Sequence, residues 1–466
     1  MEQIIKKEFE AYPDRDALPI KLVDRTVGVV DIHEPDKKIE RFARICYRSE
    51  DKISENSSEK LIKFCIAHDH GSILEHYYIS VFFPREGHYK DVLGDDRMTP
   101  GYIWDACDST AKRKFTTLYW DRYLKVNKDI PDGQPLIWRC TSGTIRAWRD
   151  IVKSGIEASI KQDIRPAVVF HLALLKELYK FAPIFFQDIV DWVDGIISFS
   201  ATQSKSISYL TEGVDPSEIK FKSIPDEKLN IGIVVGESIG AYVSFICTTE
   251  RATSHQLVRH RVECSYSQES QRYVNYANKG INVVAPLAEQ KFADEDIATR
   301  AAHTWIDAMI DAGNAYLDLI EDGVKPESAR SVLPNACATT IGVTMTFGSL
   351  EHFFNKRLAS DAQFEIRDMA ANMLKILIDG GHPILYNINP YNIIRWAKWM
   401  VEQKQKFGIE YWTGVIEKWK DIIVQTKKAH EAEAKRQAEL AQKAQELAKS
   451  KKEEDAKPAE EVKEEK

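Results

Sequence analysis

Apolar residues recur at helical spacing from Lys38 to Tyr47 and again from Lys60 to His68, which predicts two short amphipathic helices. Tyr77 to Phe83 and Tyr242 to Cys247 instead concentrate aromatic and β-branched residues, the pattern of buried strands. A helical or extended segment begins near Ser254. Thr299 to Ile320 carries the periodicity of a long amphipathic helix, and Gly348 to Leu377 holds one or two more. Beyond Tyr411 the pattern stays helical while its charge rises. From Lys427 to Lys466 nearly every residue is Ala, Glu, Lys or Gln. Such a tail buries no core of its own and is a solvated helix, a weak coiled coil or disordered.

One stretch echoes another. Thr141-Ser142-Gly143-Thr144-Ile145, followed by Trp148, resembles Thr346-Phe347-Gly348-Ser349-Leu350, followed by Phe353. Each opens a helical stretch trailed by a second helix, Pro166 to Phe181 in one case and Ala362 to Leu377 in the other. Sliding the match by three sets Thr144-Ile145-Arg146 against Thr346-Phe347-Gly348 instead, and makes Arg146 a candidate. Either a module has been duplicated, with each copy degenerate in different places, or a large insertion separates Phe83 from about Gly240. The chain thus divides into an N-terminal segment (1–83), an insertion or degenerate first copy (84–239), a catalytic segment (240–425) and a charged helical or disordered tail (426–466).

With 466 residues, 44% of them hydrophobic and 29% charged, the chain has the material for a sizeable globular core. A formal net charge of -7 argues against a general nucleic-acid binder. No apolar run approaches the roughly 20 residues that span a bilayer, and the N-terminal Met1 to Glu8 lacks a secretory apolar stretch. Seven cysteines, an odd number without a Cys-x-x-Cys pair, form neither a disulfide nor a zinc framework. A reducing cytoplasm is the expected setting.

Chemistry concentrates in four places. Arg259-His260-Arg261 is followed by Cys264 to Tyr273, a run of hydroxyls, amides and a further arginine. That density of donors argues against a core strand, where unpaired polar groups are costly. It suits a surface gripping phosphates and a planar heterocycle, because the guanidinium fork binds phosphate bidentately. A salt-bridged surface loop is the plainer reading. The second place is His68-Asp69-His70-Gly71-Ser72-Ile73-Leu74-Glu75-His76. Its histidines read as metal ligands, as caps of a helix and turn, or as contacts to a bound cofactor. The spacing is not that of a helix-borne His-Glu-x-x-His site, so no metal is expected. The third is Ala329-Arg330-Ser331-Val332-Leu333-Pro334, and the fourth is His352 to Arg357 followed by Ala362 to Arg367. Arg330 and Arg357 also read as ordinary solvated arginines. Cys264 lies near the arginine motif, but no basic partner marks it as a nucleophile.

These blocks, in this order, resemble the signatures of the flavin-dependent thymidylate synthases over about residues 38–80 and 240–385. The resemblance implies an α+β fold with a mixed or antiparallel sheet flanked by helices. It also implies FAD as cofactor, with NADPH and methylene tetrahydrofolate as co-substrates and deoxyuridine monophosphate (dUMP) as the group methylated to dTMP. A homo-oligomer is implied, a tetramer or, with internal duplication, a dimer; neither nucleic acid nor membrane is a partner. By that resemblance His70, Ser72, Glu75, Arg259, His260, Arg261 and His352 contact the flavin. Gln256, Gln268, Ser270, Gln271, Arg272, Arg330 and Arg357 fall among the nucleotide contacts, with Arg357 and Ser270 the catalytic candidates.

The sequence departs from the family pattern at four points, one of them Gln268, which stands where many members carry glutamate. Asp69 replaces a glycine before His70. One extra residue separates Arg261 from Ser270, which requires a bulge or loop because a slip in a strand would reverse every later side chain. Thr346-Phe347-Gly348 stands where the family has Asn-x-Arg. Two alternatives follow: a diverged enzyme acting on another pyrimidine nucleotide, or a non-catalytic scaffold.

Overall fold

The computed structural model describes residues 1–84, 104, 115–118, 138–200, 220–221, 231–287, 292–403 and 407–455. Much of the expected 84–239 segment and the last part of the tail, 456–466, lie outside these. The chain forms two units, residues 1–389 and 390–466. The second consists of α13 (Pro390–Glu402) packed along α14 (Gly408–Asp455), which runs unbroken past residue 426.

The first unit is a mixture of helices and mainly antiparallel sheets. A parallel ribbon joins β1 (Ile20–Leu22) to β9 (Ile281–Val283). One four-stranded sheet has the order β2 (Thr26–Val29), β7 (Tyr242–Glu250), β10 (Ala338–Thr346), β8 (Cys264–Gln268). The other has the order β6 (Gly232–Val235), β3 (Tyr78–Pro84), β5 (Trp138–Thr144), β4 (Phe115–Leu118). The helices are α1 (Glu2–Glu10), α2 (Pro35–Ile45), α3 (Ser57–Ala67), α4 (Ile145–Lys161), α5 (Arg165–Phe181), α6 (Pro183–Ser200), α7 (Arg251–Leu257), α8 (Tyr276–Lys279), α9 (Glu295–Glu321), α10 (Pro326–Ala329), α11 (Phe347–Arg357) and α12 (Phe364–Asp379). The expected helices and strands are present with ends moved by a few residues. The segment near Ser254 is helical, and Gly348 to Leu377 is two helices.

Local chemistry sets the boundaries. Pro35 opens α2, where its missing N–H costs nothing. The Asp294 carboxylate accepts from the Ile297 amide at 2.8 Å and starts α9, with Glu295 and Asp296 in the first turn. Thr144 and Thr346 end their strands and cap α4 and α11 through their hydroxyls. In β10, Gly342 leaves room for the Phe42 ring of α2: an added Cβ would lie 2.4 Å from it. Phe42 in turn stacks on His76 at 4.0 Å, so this glycine sets how the histidine block meets the sheet.

The expectation that the Cys264 to Tyr273 run avoids a core strand is overturned. Cys264–Gln268 is β8, with Ser265 and Ser267 buried. Both buried serine hydroxyls of β8 have found partners. Ser265 donates to the Glu75 carbonyl at 2.9 Å, and Ser267 meets His76 Nε2 at 2.9 Å. The cost of burying polar groups applies to unpaired ones. The register from Cys264 opposite Met345 to Gln268 opposite Ile341 is unbroken, so β8 contains no bulge. The chain turns just before it, with Glu263 in the left-handed region at φ 53°.

Candidate active site

Arg357, at the end of α11, is held by the turn that follows α7. Its Nε donates to His260 Nε2 at 3.0 Å, and its Nη2 donates to the Gln256 carbonyl at 3.0 Å. The His260 ring stands edge-on to His352 at 5.5 Å and to Phe353 at 5.1 Å. Tyr266 reaches back from β8 and donates toward the carbonyls of Leu257 and His260, at 2.9 and 2.6 Å, which fixes the turn carrying the arginine motif. The Gln256 side chain donates to Gln363, whose own amide donates to the buried carboxylate of Glu365 at 2.8 Å. Arg259 and Arg261 flank His260 as exposed side chains.

The electrostatics follow from this packing. Burial, then the Arg357 guanidinium and then His352, lower the His260 pKa to about 4, so the ring is neutral. Because Nε2 accepts from Arg357, the proton sits on Nδ1. That Nδ1 is buried without a hydrogen-bond partner among the described residues. The site therefore presents one fixed, unsatisfied donor beside a cationic rim. Burial also lowers the Arg357 pKa from its ordinary value.

The histidine block lies on the other side of β8. His70 ends a tight turn after α3, with Asp69 in the left-handed region at φ 56°. That is the position where the family pattern carries glycine, and aspartate tolerates this backbone better than most residues. His70 and Ser72 are exposed. Glu75 accepts from Arg146 at the start of α4 at 2.8 Å, and Gly71 lets that arginine lie close, 3.2 Å from a hypothetical Cβ. A cavity of about 390 Å³ opens beside them, bordered by Asp69, Gly71, Arg146, Arg149, Lys153 and Asp188.

The three histidines do not converge. The rings of His68 and His70 are 6.3 Å apart, while His76 is buried between Thr344 and Ser267 at 2.9 Å each. Among the described residues no group of three His, Cys, Asp or Glu side chains is arranged to hold a metal. Burial drives the His76 pKa down to about 3, so it is a neutral linker between β8 and β10.

The remaining candidates are dispersed. Gln268 donates to Ser254 and Thr339 at 2.8 and 3.2 Å, and buried Gln271 donates to Cys337 Sγ at 3.6 Å, so both side chains are tied to the protein. Ser270 anchors its segment by donating its amide to the Cys46 carbonyl at 3.0 Å. Arg272 is exposed and lies over the Tyr273 ring at 5.4 Å. Arg330 donates to the Glu327 carbonyl at 3.2 Å, within its own turn. Cys264 Sγ meets Ser349 Oγ at 2.7 Å, and burial raises its pKa, which holds it as a thiol. Sequence reasoning missed Tyr266 and Gln363, whose roles depend on partners in other segments. The signal available was an aromatic inside the polar run and a glutamine just before α12.

Residues 21–83 and 240–380 match the family model described as "Thymidylate synthase complementing protein". The flavin-dependent thymidylate synthase of Geobacter sulfurreducens is 38% identical over 188 residues, 39% of this chain and 76% of that protein. Those of Pyrococcus abyssi and Pyrococcus furiosus are 32% identical over 203 residues and 36% over 165, covering 78% and 63% of their lengths and 42% and 35% of this chain. The chain belongs to the flavin-dependent thymidylate synthase family. No described helix is long and apolar enough to cross a membrane.

Proposed function

We propose that this chain methylates dUMP to dTMP using FAD, with NADPH as reductant and methylene tetrahydrofolate as the one-carbon donor. The observation that carries the reading is the convergence of Gln256, His260 and Arg357, from two separate segments, at hydrogen-bond distance. The residues fit an anionic, planar cofactor and nucleotide. His260 Nδ1 is a buried donor awaiting an acceptor, and Arg259 and Arg261 offer exposed charge beside it. His70, Ser72 and Glu75 would hold flavin from the histidine block, and His352 would hold it from α11. Ser270, Arg272, Arg330 and Arg357 would hold the nucleotide, with Gln256, Gln268 and Gln271 shaping the strand and turn that present it.

When bound, the flavin supplies the redox chemistry of the one-carbon transfer. The protein's part is orientation and charge. Arg357 is held by His260 and the Gln256 carbonyl through two of its nitrogens, so its remaining Nη1 is aimed without further reorganisation. A guanidinium there would stabilise negative charge developing on a uracil carbonyl and so favour electron flow toward the ring carbon that takes up the one-carbon unit. The chain needs no cysteine nucleophile for this: burial raises the pKa of all six described cysteines, Cys264 included. Holding the reactants together supplies a large entropic share of the barrier reduction.

Replacing Arg357 by alanine tests the assignment. Tritium release from 5-labelled dUMP should fall at least about 100-fold, the scale of losing one preorganised charge donor. Unchanged release in the variant would refute the role, and wild-type protein taking up no flavin would favour a non-catalytic scaffold.

A further inference from the structure

The two four-stranded sheets are built alike. Tyr78 pairs with Thr144 at the end of one central ladder, and Tyr242 pairs with Thr346 at the end of the other. The next strand out begins opposite the residue before each threonine: Phe115 opposite Gly143, and Cys264 opposite Met345. Each threonine caps a helix, accepting from Ala147 at 3.1 Å and from Ser349 at 3.3 Å, and each helix is followed by a second one. The register thus sets Thr144, rather than Thr141, against Thr346, and corrects the first alignment of the sequence echo by three residues.

The fourth strand of each sheet comes from the wrong half. β2 precedes β3 in the chain yet pairs with β7, and β6 precedes β7 yet pairs with β3. Where the halves meet, the rings of Tyr78 and Tyr242 stack at 4.9 Å. Buried Lys38 from the first half is ion-paired to Glu237 of the second at 2.6 Å.

The two halves have lost different things. The second runs from β6 to β7 through residues 236–241 and has no counterpart of α2, α3 or the histidine block. The first keeps those but has Asp150 and Gly155 at the register positions of His352 and Arg357. The space at Gly155 is filled by the buried ring of His171, 2.2 Å from where a Cβ would lie.

We infer that the chain is two copies of one unit that have exchanged their first strands, and that one nucleotide site survives per chain, its ligands divided between the copies. The first-copy counterpart is plugged by His171. The nucleotide part rests on the function proposed above, whereas the strand exchange stands apart from it.

Two measurements on the full-length protein test this. Thr26→Cys with Thr248→Cys, facing partners of β2 and β7, should form a disulfide within one chain under mild oxidation, and neither single variant should. A disulfide-linked dimer, or no bridge, would overturn the exchange. Equilibrium dialysis of the flavin-loaded protein with dUMP should give one nucleotide per chain, with affinity reduced at least tenfold by Arg357→Ala. Two nucleotides per chain would overturn the single-site inference while leaving the proposed function intact. No binding beside an intact bridge would defeat the proposed function, and the surviving site with it, but not the strand exchange.

Discussion

His260 enters the site neutral because burial and two cationic or ionisable neighbours oppose its proton. His76 and His171 are also buried, with pKa values lowered to about 3 and about 4. For each, the unfolded chain binds protons that the folded chain refuses, so stability is complete above the ordinary histidine pKa and is lost as pH falls through that range. The thermal midpoint should therefore drop as pH is lowered from about 6.5 to about 4, and His171→Gln should make that drop shallower. A midpoint flat over this interval would contradict the neutral assignments. At Asp69, the positive φ predicts that Asp69→Gly folds as well as the native protein. Asp69→Ala should lose about 1 kcal/mol, read by chemical denaturation, because alanine tolerates the left-handed region poorly. The family resemblance nominated both Arg357 and His260, but the hydrogen bond between them was not visible in either motif. Nor was the pairing of Glu75 with Arg146, since nothing in either local sequence points to a partner 71 positions away.

The helices were easier to read than the strands. Amphipathic periodicity gave α2, α3, α9 and α12 within a few residues, because each buries one apolar stripe. β5 reads Trp-Arg-Cys-Thr-Ser-Gly-Thr and β10 reads Ala-Thr-Thr-Ile-Gly-Val-Thr-Met-Thr, which look like loops or mixed segments. Their hydroxyls pair across the sheet instead, Ser80 with Ser142 at 2.8 Å and Ser244 with Thr344 at 2.9 Å. Tertiary pairing makes such strands tolerable, and a single sequence does not display it. Gly342→Ala should cost roughly 1–3 kcal/mol by forcing Phe42 off the sheet. Equilibrium unfolding would show it, with flavin affinity falling too, since Phe42 carries His76. Thr346→Ala should cost about 1 kcal/mol as a lost cap, and more because Thr346 also donates to Glu263 beside the arginine motif.

At the scale of the molecule, the family resemblance nominated the residues that gather around Arg357, and the sequence echo hinted at two related halves. What the sequence hid was the exchange of edge strands, because a strand of four residues carries no label for its partner. The buried pair Lys38–Glu237 ties the halves together. Desolvation lowers the lysine's pKa and the carboxylate partly restores it. Lys38→Met should destabilise by about 3–5 kcal/mol by stranding a buried carboxylate, and Lys38→Met with Glu237→Leu should recover much of that loss. Denaturant midpoints of the three proteins would decide it; equal midpoints for the single and double variants would rule out a coupled pair.

The claim that ties these scales together is that guanidinium and imidazole groups from distant segments form one pocket for flavin and nucleotide. Titrating dUMP into the flavin-loaded protein while recording the visible absorbance tests it directly. A saturable shift of the flavin bands, abolished by Arg357→Ala while the flavin stays bound, is the predicted result. A spectrum indifferent to dUMP, or a shift that persists unchanged in the variant, would contradict it.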